Sequence, residues 1–135
     1  MKEIQLEVIT PSKAAFSGMV YSVTLPGSLG NFQVLYNHAP ILSALDIGII
    51  KIVGVDNKEM VFATSGGTVE VLNNKVVVLA ETFEKPEEID RKRAEDAKKR
   101  AKERLAKKTD EIVDEMRAEM SLKRAINRLN LSEYK

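Results

Sequence analysis

The stretch that decides the fold runs from residue 68 to residue 80 and reads Thr68-Val69-Glu70-Val71-Leu72-Asn73-Asn74-Lys75-Val76-Val77-Val78-Leu79-Ala80. Val69 and Val71 alternate with the polar residues Thr68 and Glu70, which is the period of a strand with one buried face. Asparagine tolerates the left-handed backbone of a tight turn, so Asn73-Asn74 predicts a two-residue hairpin turn. The stretch therefore predicts two antiparallel strands.

The same alternation extends toward the N-terminus. Its apolar positions are Ile4, Leu6 and Val8, then Met19, Tyr21, Val23 and Leu25. Turn residues separate the runs at short intervals, as at Pro26-Gly27 and Ser65-Gly66-Gly67. Eight or more short strands at this spacing predict a β-sandwich or barrel rather than alternating strands and helices.

The charge distribution divides the chain into two parts. Residues 84–135 carry 16 Lys/Arg and 13 Asp/Glu, so 29 of these 52 residues are charged, against 5 plus 7, or 12, of the first 83. All seven glycines precede residue 68. Lys85-Pro86 supplies an extended residue followed by a helix-start proline. We therefore place a boundary within 84–88 and predict two domains, 1–83 and 84–135.

Residues 84–135 are predicted to form a helical hairpin, because Ala, Glu, Lys and Arg dominate and neither glycine nor proline follows Pro86. Lys107-Lys108-Thr109-Asp110, with Glu111, predicts the end of one helix and the cap of the next. The first helix carries a narrow stripe of Ala94, Ala97, Ala101 and Leu105. The second carries Ile112, Val113, Met116 and Met120 on one side and Ala118, Leu122, Ala125 and Leu129 on another. Alanines bury little area, so we expect a weakly held arm that a partner or ligand can switch.

Several classes of chemistry are excluded by composition. There is no cysteine and a single histidine, which excludes thiol catalysis, Cys/His zinc sites and disulfides. No Gly-x-x-x-x-Gly-Lys-Ser/Thr loop is present to hold magnesium-ATP for hydrolysis. His38 has no nucleophile elbow or orienting acid near it in sequence. We expect no enzyme and no resident metal, and the lack of a long apolar run or leader predicts a cytoplasmic chain.

A set of short motifs in a fixed order resembles a known family. It comprises Val8-Ile9-Thr10-Pro11, Phe16-Ser17-Gly18, Pro26-Gly27-Ser28, His38-Ala39-Pro40, Leu45, Gly48, Ser65-Gly66-Gly67, Glu70-Val71, Val76 to Ala80, and Leu122-Lys123-Arg124-Ala125-Ile126-Asn127-Arg128-Leu129. Over the whole chain this order resembles the epsilon subunit of the bacterial-type F1Fo ATP synthase.

The resemblance implies a sandwich of about ten strands followed by a two-helix arm. It implies a non-catalytic central-stalk subunit that couples the gamma subunit to the c ring during proton-driven ATP synthesis. The arm is expected to reach the alpha and beta subunits and to inhibit ATP hydrolysis. The chain would be peripheral, at the cytoplasmic face of the inner (plasma) membrane and attached only through the complex. No cofactor would be required.

Residues 89–94 match the pattern Ile/Leu-Asp-x-x-Arg-Ala, which resembles the ATP-binding segment of some epsilon subunits. In helical spacing a carboxylate, a guanidinium for phosphate and a small residue then share one face. The resemblance and this spacing together predict ATP as a regulatory ligand of eight residues, namely Glu84, Ile89, Asp90, Arg93, Ala94, Arg100, Arg124 and Arg128.

The resemblance also implies three contact surfaces. The predicted c-ring contact is the loop of Ser28, Leu29, Gly30, Asn31 and Phe32, and the predicted gamma contact is His38, Ala39 and Pro40. The predicted contact of the extended arm with beta comprises Arg117, Lys123, Arg124 and Arg128. Within the first loop this sequence departs from the family, since Asn31 stands where an acidic residue is frequent.

An alternative function is a free-standing β-sandwich binding module whose coiled-coil arm assembles a scaffold or binds nucleic acid. Its sequence support is the basic run from Lys98 to Lys108. Acidic residues interrupt that run, and between Phe83 and Tyr134 there is no aromatic residue to stack on bases. We therefore expect protein partners and no nucleic acid.

Overall fold

A computed structural model describes residues 2–107 and 112–134 of the chain. Eight strands come first, and they are β1 (Ile4–Ile9), β2 (Ala14–Gly27), β3 (Gly30–Val34), β4 (Ile41–Leu45), β5 (Gly48–Gly54), β6 (Glu59–Thr64), β7 (Gly67–Leu72) and β8 (Lys75–Ala80). A short 3-10 turn follows at Pro86–Glu88, and then come α1 (Arg91–Ala106) and α2 (Ile112–Ser132). This arrangement confirms the predicted β-sandwich followed by two helices.

The hairpin predicted for residues 68–80 is present in the structure. Strands β7 and β8 pair antiparallel from Gly67 opposite Ala80 to Leu72 opposite Lys75. Asn73 and Asn74 have φ values of 50° and 62°, so both occupy the left-handed region that a two-residue turn of this kind requires. The Asn74 side chain also accepts a hydrogen bond from the backbone N–H of Asn37 at 2.6 Å, which ties the turn to a neighbouring loop.

Strand β2 connects the layers of the sandwich because different parts of it pair with different neighbours. Its first half, up to Val20, pairs with β1, whereas its second half pairs with β5 and, from Val23 to Gly27, with β3. The pairing with β5 shifts register between Val20 and Ser22, and such an irregularity bends a strand. The described residues form eight strands rather than the predicted number of about ten, because the single long strand β2 pairs with β1 over its first half and with β5 over its second half.

The strand order closes the first unit on itself. It runs β1-β8-β7-β4-β2-β5-β6, and β1 also pairs with β2. Strand β1 pairs parallel with β8 on one side and antiparallel with β2 on the other. The inward positions of these strands form one apolar core, which includes fully buried Ile4, Leu6, Leu25, Ile50 and Ile52.

The chain divides into two compact units, Met1–Glu84 and Lys85–Lys135. The first unit extends to Glu84 because the backbone there pairs with the sheet. The Ala63 N–H donates to the Glu84 carbonyl at 2.9 Å, and the Glu84 N–H donates to the Ala63 carbonyl at 3.0 Å. Beside this bridge the rings of Phe62 and Phe83 stack with their centroids 4.0 Å apart.

The second unit contains the hairpin of α1 and α2, and most of the side chains that these two helices bury are small. Ala94 and Ala101 are the buried residues of α1, and α2 buries Ala118, Ala125, Leu131 and Ser132. The apolar row of Ile112, Val113, Met116 and Met120 is exposed instead. The predicted helix end and cap at Lys107-Lys108-Thr109-Asp110 and Glu111 lies, beyond Lys107, outside the described residues.

Candidate functional site

The predicted ATP-binding segment lies at the start of α1. Asp90 is the N-cap of this helix, and its Oδ1 accepts a hydrogen bond from the backbone N–H of Arg93 at 3.1 Å. An aspartate at this position satisfies a backbone donor that would otherwise lack a partner, and its negative charge suits the positive end of the helix dipole. The Asp90 carboxylate therefore has a structural task before any ligand is considered.

The other members of the segment differ in exposure. Ile89 and Ala94 are 4% and 5% exposed, so their side chains are unavailable to a ligand in this conformation. Arg93 and Arg100 are exposed. Sequence spacing predicted that residues 90, 93 and 94 share one helical face. In the structure Asp90 is the cap that precedes the helix, Arg93 is exposed and Ala94 is buried.

The remaining predicted ligand residues belong to different elements. Glu84 is half-buried and belongs to the first unit through its bridge to Ala63. Arg124 and Arg128 are half-buried on α2. Arg124 lines a groove of the second unit, and the residues lining that groove include none from the segment 89–94.

That groove, with a volume of about 620 Å³, runs along α2 beside the last turn of α1 and combines cationic with apolar side chains. Its lining consists of Arg104, Val113, Met116, Arg117, Met120, Ser121 and Arg124. Two predicted beta-contact residues, Arg117 and Arg124, therefore lie next to the exposed apolar row, and Lys123 is exposed on the same helix. Sequence reasoning missed Arg104, which it counted only as part of a basic run, because no local pattern ties it to α2.

The predicted c-ring loop is the turn between β2 and β3. Ser28, Gly30 and Asn31 are exposed, Phe32 is half-buried against the core, and Leu29 is fully exposed at 105%. The Ser28 backbone N–H and hydroxyl both donate to the Ala44 carbonyl, at 3.1 and 2.9 Å. The structure thus places Ser28 and Leu29 on a turn attached to Ala44 and the other three residues at the start of β3.

The predicted gamma contact lies in the loop between β3 and β4. His38 is half-buried, and Ala39 and Pro40 are exposed. The His38 Nδ1 lies 2.7 Å from the Ala39 carbonyl oxygen, and its backbone N–H donates to the Leu35 carbonyl at 3.2 Å. A ring nitrogen committed to an adjacent backbone carbonyl orients the imidazole, and this favours a structural role over proton transfer.

Comparison with known families assigns both units to one class of protein. Residues 3–86 match the family described as the β-sandwich domain of the ATP synthase delta/epsilon chain, and residues 87–133 match the long α-helix domain of the same chain. Together the two matches cover nearly all of the sequence. The chain therefore belongs to the ATP synthase delta/epsilon chain family.

Within this family the similar curated proteins are bacterial epsilon chains. The ATP synthase epsilon chain of Desulforamulus reducens is 42% identical over 132 residues, which is 98% of both chains. That of Nitratidesulfovibrio vulgaris is 45% identical over 130 residues, which is 96% of both chains. These full-length matches confirm the predicted resemblance, and the chain is an ATP synthase subunit of the bacterial epsilon type.

Two solved structures share the fold at low sequence identity. A chain of the Euglena gracilis mitochondrial ATP synthase aligns with a TM-score of 0.83 and 20% identity, over 93% of this chain and 78% of that one. A chain of the Tetrahymena thermophila mitochondrial ATP synthase aligns with a TM-score of 0.67 and 16% identity, over 97% of both chains. The fold is therefore retained where most of the sequence differs.

Family membership sets aside the alternative of a free-standing binding module. The chain works within ATP synthase, a complex associated with a membrane. Among the helices described, neither is both long and apolar enough to cross a bilayer.

Proposed function

We propose that this chain is a non-catalytic central-stalk subunit at the cytoplasmic face of the membrane. It docks on gamma and the c ring through residues 1–83 and restrains ATP hydrolysis by the alpha and beta subunits through residues 84–135. The absence of a phosphate-cradling loop from the sequence supports the non-catalytic part of this proposal. The driving reaction therefore belongs to other subunits, and this chain contributes contacts and their regulation.

One observation carries the regulatory part, namely that α2 exposes a row of larger apolar side chains while most of the residues that it buries are small. Ile112 is 73% exposed and Met116 is 59% exposed. An exposed apolar row beside cationic groups is typical of a surface that a protein partner covers. Arg117 and Arg124 beside this row favour a partner that carries carboxylates. The beta subunit is the partner we assign to this surface.

The arm is tested by truncating the chain after Glu84 in the assembled complex. Glu84 is kept because its backbone bonds with Ala63 belong to the sandwich. We expect normal assembly and increased ATP hydrolysis, because the docking unit retains its core and the restraint is removed. Unchanged hydrolysis under inhibiting conditions would show that the arm is not a brake in this enzyme.

A point variant tests the exposed apolar row of α2 while the rest of the arm is kept. Met116→Glu places a carboxylate in the apolar row, and Asn130→Glu places the same carboxylate at an exposed position of α2 outside that row. If the row is the contact, hydrolysis rises with Met116→Glu and not with Asn130→Glu. Equal effects would mean that only the charge of the arm matters.

We further propose that ATP is a regulatory ligand of the arm, with its phosphates held by arginine side chains. Arg93, Arg100 and Arg124 supply guanidinium groups, which recognise phosphate in a bidentate manner. Ligand at about 100 times its dissociation constant would stabilise the bound arm by about 2.7 kcal/mol, enough to shift a marginal equilibrium. Because Asp90 already caps α1, we expect it to act through the position of the helix rather than through the nucleotide.

Calorimetric titration of the whole chain with ATP tests this ligand. Arg93→Ala should abolish the binding heat, whereas Lys92→Ala removes one positive charge from the adjacent exposed position and should preserve it. If no binding heat is measured at millimolar ATP, the proposal that ATP is a ligand is wrong, whereas the assignment of the chain as an ATP synthase subunit is unaffected.

A further inference from the structure

We propose that Met116 and Met120 form a modification site on α2, where a peroxide oxidises both thioethers to sulfoxides and so releases the restraint exerted by the arm. The inference rests on the proposed function, which assigns the exposed apolar row of α2 to a protein partner. It adds a chemical switch to that surface, namely the reversible oxidation of its two methionines.

The two methionines lie together on the surface of the second unit. They are four residues apart on α2, a spacing at which side chains are neighbours on a helix. Met116 is more than half exposed, Met120 is 39% exposed, and both line the groove that runs along α2. A small oxidant can therefore reach both side chains without unfolding of the helix.

The other described methionines belong to the sandwich. Met60 on β6 is partly buried and packs against the apolar core, which limits the access of an oxidant. Met19 on β2 is 45% exposed, so it offers a comparably accessible thioether outside the row. The chain contains no cysteine, so none of its own thiols competes for the oxidant.

The oxidation is a two-electron step. A lone pair of the thioether sulfur attacks one oxygen of hydrogen peroxide, the S–O bond forms, and the O–O bond breaks. The sulfur is oxidised to the sulfoxide, and the remaining oxygen leaves as water after proton transfer. Methionine sulfoxide reductases reverse the step with two electrons from a thiol reductant. The site therefore takes peroxides as its class of reactant.

The sulfoxide changes the row in two ways. Its oxygen is polar, so burying it against a partner costs free energy unless a donor is supplied. The oxygen is also an acceptor, and Arg117 and Arg124 stand three residues before and four residues after Met120, which are the spacings of helical neighbours. All three side chains line the same groove. A guanidinium that donates to the sulfoxide is less available to a carboxylate of the partner.

The first test measures oxidation of the full chain by hydrogen peroxide, residue by residue, with mass spectrometry. We expect Met116 and Met120 to be oxidised several-fold faster than Met60 in the folded chain, because the core covers part of Met60. In urea the three rates should become similar. If Met116 and Met120 react as slowly as Met60 in the folded chain, the inference is wrong and the proposed function is unaffected.

The second test measures the consequence in the complex. The chain is oxidised, freed of peroxide and added at saturating concentration to complexes that lack this subunit. We expect the ratio of restrained to active complexes to fall roughly tenfold, so that ATP hydrolysis rises toward the rate seen with the chain truncated after Glu84. Treatment of the oxidised chain with methionine sulfoxide reductases should restore the restraint.

Variants identify the methionines responsible. Met116→Leu combined with Met120→Leu keeps the row apolar and helical but removes both sulfur atoms, so the response to peroxide should be lost. Met19→Leu removes a comparably exposed methionine outside the row, so the response should persist. Each variant is compared with its own untreated sample, so any effect of leucine on the contact itself cancels.

The remaining outcomes separate failure of the switch from failure of the proposed function. If peroxide oxidises both methionines and hydrolysis does not change, although Met116→Glu raises it, the row is the contact but the switch is wrong. If the response to peroxide persists without Met116 and Met120, another site causes it and the switch is again wrong. If neither oxidation nor Met116→Glu changes hydrolysis, the proposed contact of the row fails, and the switch fails with it.

Discussion

Replacing Ala118 with leucine should open the helical hairpin. Ala118 is 1% exposed, and the buried residues of α1 are also alanines, Ala94 and Ala101. Leucine is a good helix former, so α2 itself should remain helical. The larger side chain therefore acts on the contact between the helices and not on the helices themselves.

The size of the effect follows from the packing. Additional methylenes in a closely packed contact cost about 1–3 kcal/mol. A change of about 2 kcal/mol shifts a two-state ratio by roughly thirtyfold. Most of the residues that the two helices bury are alanines, so we expect a shift of this size to convert most of the population to the open form.

Fluorescence transfer between two labelled cysteines can follow the opening, since the natural sequence contains no cysteine that would interfere. Lys92→Cys and Asn130→Cys place labels at exposed positions near the start of α1 and the end of α2. Arg91 and Asn130 line one groove of the closed hairpin. One continuous helix would separate them by roughly 57 Å. Ala118→Leu should lower the transfer efficiency and, in the complex, deepen inhibition of ATP hydrolysis.

Ala106→Leu is the matched control because Ala106 is exposed on α1. The same addition at that position should leave the transfer efficiency unchanged. If Ala118→Leu also left it unchanged in a folded chain, the alanine contact would not determine whether the arm is closed, and the reasoning would be refuted.

Four further substitutions at three positions test the fold. Gly67→Ala should destabilise the sandwich by about 2–4 kcal/mol in urea unfolding, because Gly67 has a φ of +148° and a methyl group there would overlap the Leu79 carbonyl. Gly30→Ala should cost only about 1–2 kcal/mol, since Gly30 has a φ of +128° but its Cβ would enter open space, and equal costs would contradict the steric argument. Asp90→Ala should lower arm stability by about 1 kcal/mol, measured by helical circular dichroism during unfolding, while Asp90→Ser should retain most of it. A loss of equal size in both Asp90 variants would mean that the carboxylate does more than cap the helix.

Local patterns predicted much of the fold because their causes are local. The turn at Asn73-Asn74 follows from the backbone tolerance of asparagine, and the strands beside it follow from alternation. The stripe containing Ala94 and Ala101 follows from helical spacing and is buried in the structure. In each case the residues that determine the feature lie within a few positions of one another.

Features that depend on distant pairing were not predictable in this way. Nothing in the sequence near Ile4–Ile9 indicates that β1 pairs parallel with β8, about 70 positions later. The bridge of Glu84 to Ala63 likewise places that residue in the sandwich rather than the arm. At the candidate ATP segment, spacing alone could not distinguish a ligand carboxylate from a cap, because Asp90 satisfies both descriptions until the helix start is known.

The parallel pairing of β1 with β8 has a mechanical consequence. These strands are the first and last of the sandwich, and they run in the same direction side by side from Gln5 opposite Lys75 to Ile9 opposite Leu79. A tension applied between the beginning of β1 and the end of β8 acts along both strands in opposite senses, so it loads their hydrogen bonds in shear and together rather than one after another. In a machine that turns against a load, such a clamp should slow forced unfolding of the docking unit.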